Sequence, residues 1–141
     1  MKLPVVVIIL LLFLCGNIAY SQVTNYHYFP DTCVISGKII KEQYYPYCGF
    51  GLFPEADTMV SYYFIKLHHK IKVIGNPTID EEITGLTESN VDKIQLLDWS
   101  IVTDWEEFVD KEVQLTGYLG HATDVEHLSN VLITVYTVTE E

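Results

Sequence analysis

The sequence predicts an all-β domain with one short helix, folded as a small antiparallel barrel of the oligonucleotide/oligosaccharide-binding (OB) type. Segments rich in β-branched and aromatic residues recur between turn residues along the chain. One helical pattern precedes the last two of these segments, as expected for a small OB-like barrel. A β-sandwich built from the same strands is the alternative.

The N-terminus has the pattern of a cleavable secretory signal. Lys2 is followed by an apolar run of eleven residues, Val5 to Cys15, and by the small-x-small pattern Ala19-Tyr20-Ser21. A membrane-spanning helix needs about 17–25 apolar residues, so this run is too short for an anchor. We therefore expect cleavage of residues 1–21, one mature domain of residues 22–141, a secreted or periplasmic location and no stable membrane anchor.

The net negative charge of the chain disfavours polyanionic partners. The formal net charge is −11, and removal of Lys2 with the signal makes it −12. Nucleic acids and anionic membranes are bound by lysine and arginine clustered on one face. Here seven lysines are scattered among 19 acidic residues and arginine is absent. We therefore expect no nucleic-acid partner.

Two cysteines remain after removal of the signal, Cys33 and Cys48. An even number of cysteines in an exported chain predicts a disulfide. Its loop of about fifteen residues would stabilise the fold by about 3 kcal/mol through restriction of the unfolded chain. Two buried thiols are the alternative, and a metal pair is disfavoured because no histidine stands at ligand spacing.

The first strands are predicted over Val34–Ile40 and over the aromatic run Met59–Leu67. The polar residues His68-His69-Lys70 form a corner at which we expect the chain to reverse before Ile71–Ile74. Gly75-Asn76-Pro77 then ends the segment, because these residues favour turns.

Three further strands are predicted over Val91–Leu97, Glu112–Tyr118 and Val131–Val138. The last has the strongest β-propensity in the chain. In the first, the alternation of apolar and polar residues is too weak to show which face is buried.

The one predicted helix lies between the strands at residues 91–97 and 112–118. Thr103 has the position of a cap, and Glu106 follows three residues later as in a capping box. Its apolar face is expected to hold Trp105, Phe108 and Val109, which recur at helical spacing.

Four segments in this order resemble the DUF4431 family of exported bacterial domains: Cys33-Val-Ile-Ser-Gly37, Tyr63-Phe-Ile-Lys-Leu67, Ile71-Lys-Val73 and Ile94-Gln-Leu96. The resemblance is strongest over residues 113–135, VQLTGYLGHATDVEHLSNVLITV, with a V-x-L-x-G-x-L strand, a histidine-containing turn and a final strand. It covers nearly all of the mature chain. The resemblance implies an exported β domain and names no reaction.

The chain departs from that family at two places. The family's turn is richer in histidine than the segment that contains His121 and His127, which weakens any metal role for the turn. The family's other cysteine lies near the position of Lys72, whereas this chain has Cys48. The disulfide therefore has no support from the resemblance.

No motif for nucleophilic catalysis is present, since no serine has G-x-S-x-G surroundings. We therefore expect a non-enzymatic exported binding or interaction domain without a cofactor, whose ligand is an unknown protein or envelope component. One candidate contact surface is an aromatic segment that continues to Phe53 and includes Tyr44, Tyr45, Tyr47 and Phe50. Packing of this segment on the barrel is an equal alternative.

The turn from His121 to His127 is the second candidate contact surface. Asp124 and Glu126 lie between the two histidines, so a divalent-metal site or a metal-dependent enzyme is the alternative function. A polar hairpin loop is favoured, because these residues do not form the ligand set of a known zinc motif.

Overall fold

The computed structural model describes residues 23–45, 58–75, 86–97, 104–124 and 127–141. These residues form six strands and one short 3₁₀ turn, Trp105–Phe108. The strands are β1 Asn25–His27, β2 Thr32–Tyr44, β3 Val60–Ile74, β4 Glu88–Leu96, β5 Glu112–His121 and β6 Val131–Glu140. Within these ranges, no helix is long and apolar enough to cross a membrane. The predicted signal lies outside them.

Five of the strands close into a hydrogen-bonded ring. β2 pairs antiparallel with β3 and β5, β3 pairs antiparallel with β4, and β5 pairs antiparallel with β6. A short parallel pairing of β4 with β6 closes the ring, and β1 adds to β3 in parallel. The all-β, OB-like class is confirmed. The sheet is mixed rather than wholly antiparallel, and its single ring leaves no place for the sandwich alternative.

Strand β2 passes from one partner to another at Gly37. This residue is paired with Leu67 of β3 and with Val113 of β5. A Cβ atom at this position would lie 2.4 Å from the carbonyl oxygen of Lys66. Glycine therefore allows the close approach of the two backbones where the ring bends.

The prediction that the chain reverses at His68-His69-Lys70 is wrong. β3 continues through these residues to Ile74, and its register with β4 shifts between Lys66 and Ile71. Such an irregularity bends a strand without ending it, which explains why three successive polar residues are exposed. The predicted end of the segment at Gly75 is confirmed, because β3 ends one residue earlier.

The predicted helix is reduced to the single 3₁₀ turn. Asp104 is its N-cap, and the Asp104 carboxylate accepts the Glu106 N–H at 2.9 Å. The predicted cap, Thr103, lies outside the described residues. The helix cannot continue because the backbone turns to β2: the N–H of Asp110 donates to the carbonyl of Ile39 at 2.9 Å. The 3₁₀ turn therefore buries one side chain, that of Trp105, and does not form a full helical face.

The core fills the inside of the ring, and alternate residues of each strand point into it. In β4 these residues are Ile94 and Leu96. The structure thereby shows which face of this strand is buried, a question that the sequence pattern did not answer. Gln95 between them points outward and is nevertheless buried. The largest fully buried side chains are Tyr28, Phe64, Ile39, Ile65, Ile94, Leu115, Leu119 and Ile133.

Candidate functional site

A groove lies where the β5–β6 turn meets strands β3 and β4. The described residues that line it are Tyr62, Tyr63, Gln95, Leu96, Leu97, Asp124 and His127. We call it the tyrosine–histidine groove. It joins parts of both candidate surfaces, because Tyr44 packs against Tyr62 and His127 belongs to the turn.

Tyr62 is held in place from the side of β2. The rings of Tyr44 and Tyr62 meet edge to face, with their centroids 6.0 Å apart. The Tyr44 hydroxyl donates to the Glu42 carboxylate, which also pairs with Lys93 Nζ at 2.9 Å. The Tyr44 hydrogen bond, and after it Lys93, hold the pKa of Glu42 below its ordinary value. This network orders the edge of the groove.

Gln95 fixes the turn against strand β4. Its side-chain oxygen accepts the Leu128 N–H at 2.7 Å, and Ser129 Oγ donates to the carbonyl of Lys93 at 3.2 Å. Burial of a polar amide is unfavourable unless it is hydrogen-bonded, so the Leu128 contact accounts for glutamine at this covered position. Because the oxygen accepts the Leu128 N–H, the amide –NH2 group is the hydrogen-bond donor that Gln95 contributes to the lining of the groove.

His127 is oriented by the backbone of the turn. Its Nδ1 accepts the N–H of Thr123 at 3.2 Å and the N–H of Asp124 at 3.1 Å. A ring nitrogen that accepts two hydrogen bonds carries no proton, so the proton of the neutral imidazole is on Nε2. His127 therefore offers an N–H donor at Nε2.

His121 has different hydrogen-bond partners from His127. Its Nδ1 is 3.0 Å from the carbonyl oxygen of Ala122, and its Nε2 is 3.1 Å from Glu88 Oε1. The ring also meets Tyr28 edge to face, at a centroid distance of 5.9 Å, and only 11 % of the side chain is exposed. The structure thus uses His121 to join the end of β5 to β4, and His127 alone of the two lines the groove.

The aromatic segment is only partly described. Tyr44 and Tyr45 are each 37 % exposed at the end of β2. Tyr47, Phe50 and Phe53 lie outside the described residues. The prediction of a contact surface there rests in the structure on the Tyr44–Tyr62 contact alone.

Cys33 is buried in the core, and burial raises the pKa of its thiol to about 11. The structure has this cysteine as a free thiol. Cys48 lies outside the described residues, so the disulfide stays a prediction.

Most lysines are neutralised by neighbouring carboxylates. Five of the seven lysines among the described residues form ion pairs: Lys38–Asp110, Lys41–Glu106, Lys66–Asp92, Lys93–Glu42 and Lys111–Glu140. Binding of a phosphate backbone depends on cations that can contact phosphates directly. A polyanion would have to compete with these internal partners for each of the five lysines.

The described part of the chain contains no group of three or more His, Cys, Asp or Glu side chains that could hold a metal ion. His68, on β3, pairs with Glu112 at 3.0 Å. His127 is also poorly prepared as a ligand. A metal-bound imidazole normally donates its second ring N–H, whereas Nδ1 of His127 already accepts two N–H groups.

We expect zinc to bind weakly or not at all, because His121 and His127 face different partners. Calorimetry with zinc at pH 7 on the parent chain and on a His121→Ala/His127→Ala variant measures this. Sub-micromolar affinity in the parent that disappears in the variant would contradict the prediction and favour the metal-dependent alternative.

No family model, curated protein or solved structure matched the chain, so the likeness to DUF4431 stays a resemblance. The sequence pattern indicated Tyr44, which packs beside the groove, and the lining residues Asp124 and His127, but not the other lining residues, among them Tyr62 and Gln95. A glutamine between Ile94 and Leu96 was the one signal available, because a polar residue within a buried strand segment needs a partner.

Proposed function

We propose that the chain is a non-enzymatic exported domain that binds its ligand in the tyrosine–histidine groove. The observation that carries the proposal is the meeting of Tyr62, Gln95 and His127, which are far apart in sequence, on one groove. OB-type proteins bind ligands over their second and third strands, between the loops that join strands one to two and four to five. The first strand of this ring is β2, because β1 lies outside it. The second and third strands are therefore β3 and β4, and the two loops are those that follow Tyr44 and His121.

The chemistry of the groove favours binding over catalysis. The described residues that line it include no serine, cysteine or lysine nucleophile, so its Asp, His and Tyr side chains have no such group to activate. Its imidazole is held by two backbone N–H groups at the nitrogen that would otherwise accept a proton. Such fixed polar groups beside a tyrosine ring suit the recognition of a ligand.

The place of action and the partners are part of the same proposal. Export rests on the N-terminal pattern of Lys2, the apolar run and Ala19-Tyr20-Ser21. The partner is then an envelope component or an extracellular protein. Exclusion of nucleic acid is supported by the net negative charge and by the five paired lysines.

Groove variants test the proposal. The chain, expressed with its own N-terminal segment, is purified and immobilised, and a soluble envelope extract is passed over it. We expect the parent and a Tyr136→Ala variant to retain the same component, and a Tyr62→Ala/His127→Ala variant to retain at least tenfold less. Truncation of a hot-spot residue, a class enriched in tyrosine and clustered near the centre of an interface, costs about 2 kcal/mol or more, which supports this factor.

Tyr136→Ala is the matched control, because Tyr136 is an exposed tyrosine on β6, 41 % accessible, that packs on Tyr118 outside the groove. Equal retention by all three proteins would contradict the proposal. So would a parent protein that retains nothing.

A further inference from the structure

We infer that the ligand of the tyrosine–histidine groove is a neutral oligosaccharide, an inference that rests on the proposed binding function. Three features of the groove lead to it: the hydrogen-bonding groups that it presents, the tyrosine ring beside them, and the ion pairs of two adjacent lysines.

The hydrogen-bonding groups of the groove match hydroxyl groups. His127 Nε2–H and the Gln95 amide are donors, and the Asp124 carboxylate is an acceptor. A hydroxyl group both donates and accepts, so neighbouring hydroxyls on one sugar can meet both kinds of group. An anionic ligand would meet the Asp124 carboxylate, and a cationic ligand would meet the two N–H donors. A neutral polyhydroxylated ligand has neither conflict.

The ring of Tyr62 supplies the apolar part of the site. Tyrosine offers an apolar face together with a polar tip, and a sugar ring likewise has C–H faces and polar edges. Because the rings of Tyr44 and Tyr62 meet edge to face, the Tyr62 ring needs little further ordering when a ligand arrives. Oligosaccharides are among the ligands that OB-type proteins bind on this face.

Two lysines adjacent to lining residues of the groove are already paired: Lys93, two residues before Gln95, and Lys41, which is in register with Tyr63. Lys93 Nζ lies 2.9 Å from Glu42 and 4.4 Å from the centroid of the Phe64 ring. Lys41 Nζ lies 2.8 Å from Glu106, which also accepts the Tyr63 hydroxyl at 2.8 Å. A sulfated or phosphorylated ligand would have to break these pairs to gain a cation. The charge distribution therefore selects against anionic polymers.

Calorimetry with defined oligomers tests the inference. The probes are neutral hexasaccharides of glucose, of N-acetylglucosamine and of mannose, together with a sulfated hexasaccharide and a single-stranded oligonucleotide. We expect at least one neutral hexamer to bind to the parent chain and neither anionic probe to bind at physiological salt.

The variants locate the binding and identify its chemistry. Tyr62→Ala is expected to lower the affinity for the neutral hexamer at least tenfold. The affinities of Tyr62→Phe, which keeps the ring, and of Tyr136→Ala are expected to stay within about threefold of that of the parent. Asp124→Asn is expected to weaken it as well, because a charged acceptor makes the stronger hydrogen bond. Unchanged thermal unfolding midpoints show that the variants are folded.

The outcomes separate the ligand class from the binding function. Binding of the sulfated hexamer or the oligonucleotide, strengthened by Asp124→Asn and lost in Tyr62→Ala, would overturn the neutral-oligosaccharide class and leave the groove as the binding site. If none of the probes binds but the groove still retains an envelope component, the ligand class is likewise wrong and the groove remains the binding site. If a neutral hexamer binds and Tyr62→Ala does not weaken its binding, the inference is wrong. If no probe binds and the parent chain retains no envelope component, the proposed function is wrong too.

Discussion

A Gly117→Ala substitution is expected to lower the free energy of unfolding by about 3 kcal/mol, because the added methyl group meets backbone that cannot move. A Cβ atom at this position would lie 2.1 Å from the carbonyl oxygen of Thr134 and 3.2 Å from Cα of Val135. Both atoms belong to β6, which pairs with β5 here beside an irregularity in register. Relief of the clash would separate the two strands that carry the turn of His127.

A second glycine on the same strand gives the matched control. Around Gly120 an added Cβ atom would have no neighbour within 4 Å. Gly120→Ala is therefore expected to change the unfolding free energy by less than about 1 kcal/mol, and in the stabilising direction if the unfolded chain alone is affected. Urea denaturation of the two variants measures the difference. Equal losses would show that the approach of β5 to β6 is not as close as described.

The strands were predictable because their signals are local. The run from Met59 to Leu67 and the run from Val131 to Val138 contain enough β-branched and aromatic residues to identify them without neighbours. Each is longer in the structure, as β3 and β6. Strand ends depend on pairing partners, and a single sequence does not contain that information.

The two errors of local structure have one cause, which is a contact with another strand. His68-His69-Lys70 contains the polarity of a turn, but β3 continues to pair with β1 and β4 beyond it. Residues 103–109 contain the pattern of a helix, but the hydrogen bond from Asp110 to Ile39 returns the chain to β2 after one turn. In both places tertiary hydrogen bonds outweigh the local preference.

The groove was beyond sequence reasoning for the same reason. Tyr62, Gln95 and His127 are separated by more than thirty residues at each step, and only closure of the ring brings them together. The sequence pattern does not distinguish the two histidines of the turn. Their different hydrogen bonds, to Glu88 for His121 and to the turn backbone for His127, separate a structural residue from a groove residue.

A Phe64→Ala substitution is expected to lower the free energy of unfolding by about 3–5 kcal/mol, although Phe64 lies on the outer face of the ring. Its neighbour Ile65 belongs to the core, so Phe64 points outward, and yet its exposed fraction is 0 %. Ile40 and Gln95 flank it on the two neighbouring strands, and the Lys93 ammonium lies over its ring. Removal of the ring leaves a cavity beneath the Lys93–Glu42 pair and beside the residue that holds the turn.

Phe29→Ala is the matched control, because Phe29 is 51 % exposed and packs against one ring, that of Tyr118, at a centroid distance of 5.1 Å. We expect it to cost about 1 kcal/mol or less, since most of its surface is already in water. Urea denaturation compares the two, and a Phe64→Leu variant, which fills most of the space, covers the case in which Phe64→Ala does not fold. If Phe64→Ala and Phe29→Ala unfold at the same urea concentration, the Phe64 ring is not buried beneath the Lys93–Glu42 pair and the prediction is wrong. If only Phe64→Ala is destabilised and Phe64→Leu also loses affinity for the groove ligand, the outer-face aromatic supports both the stability of the ring and the position of Gln95.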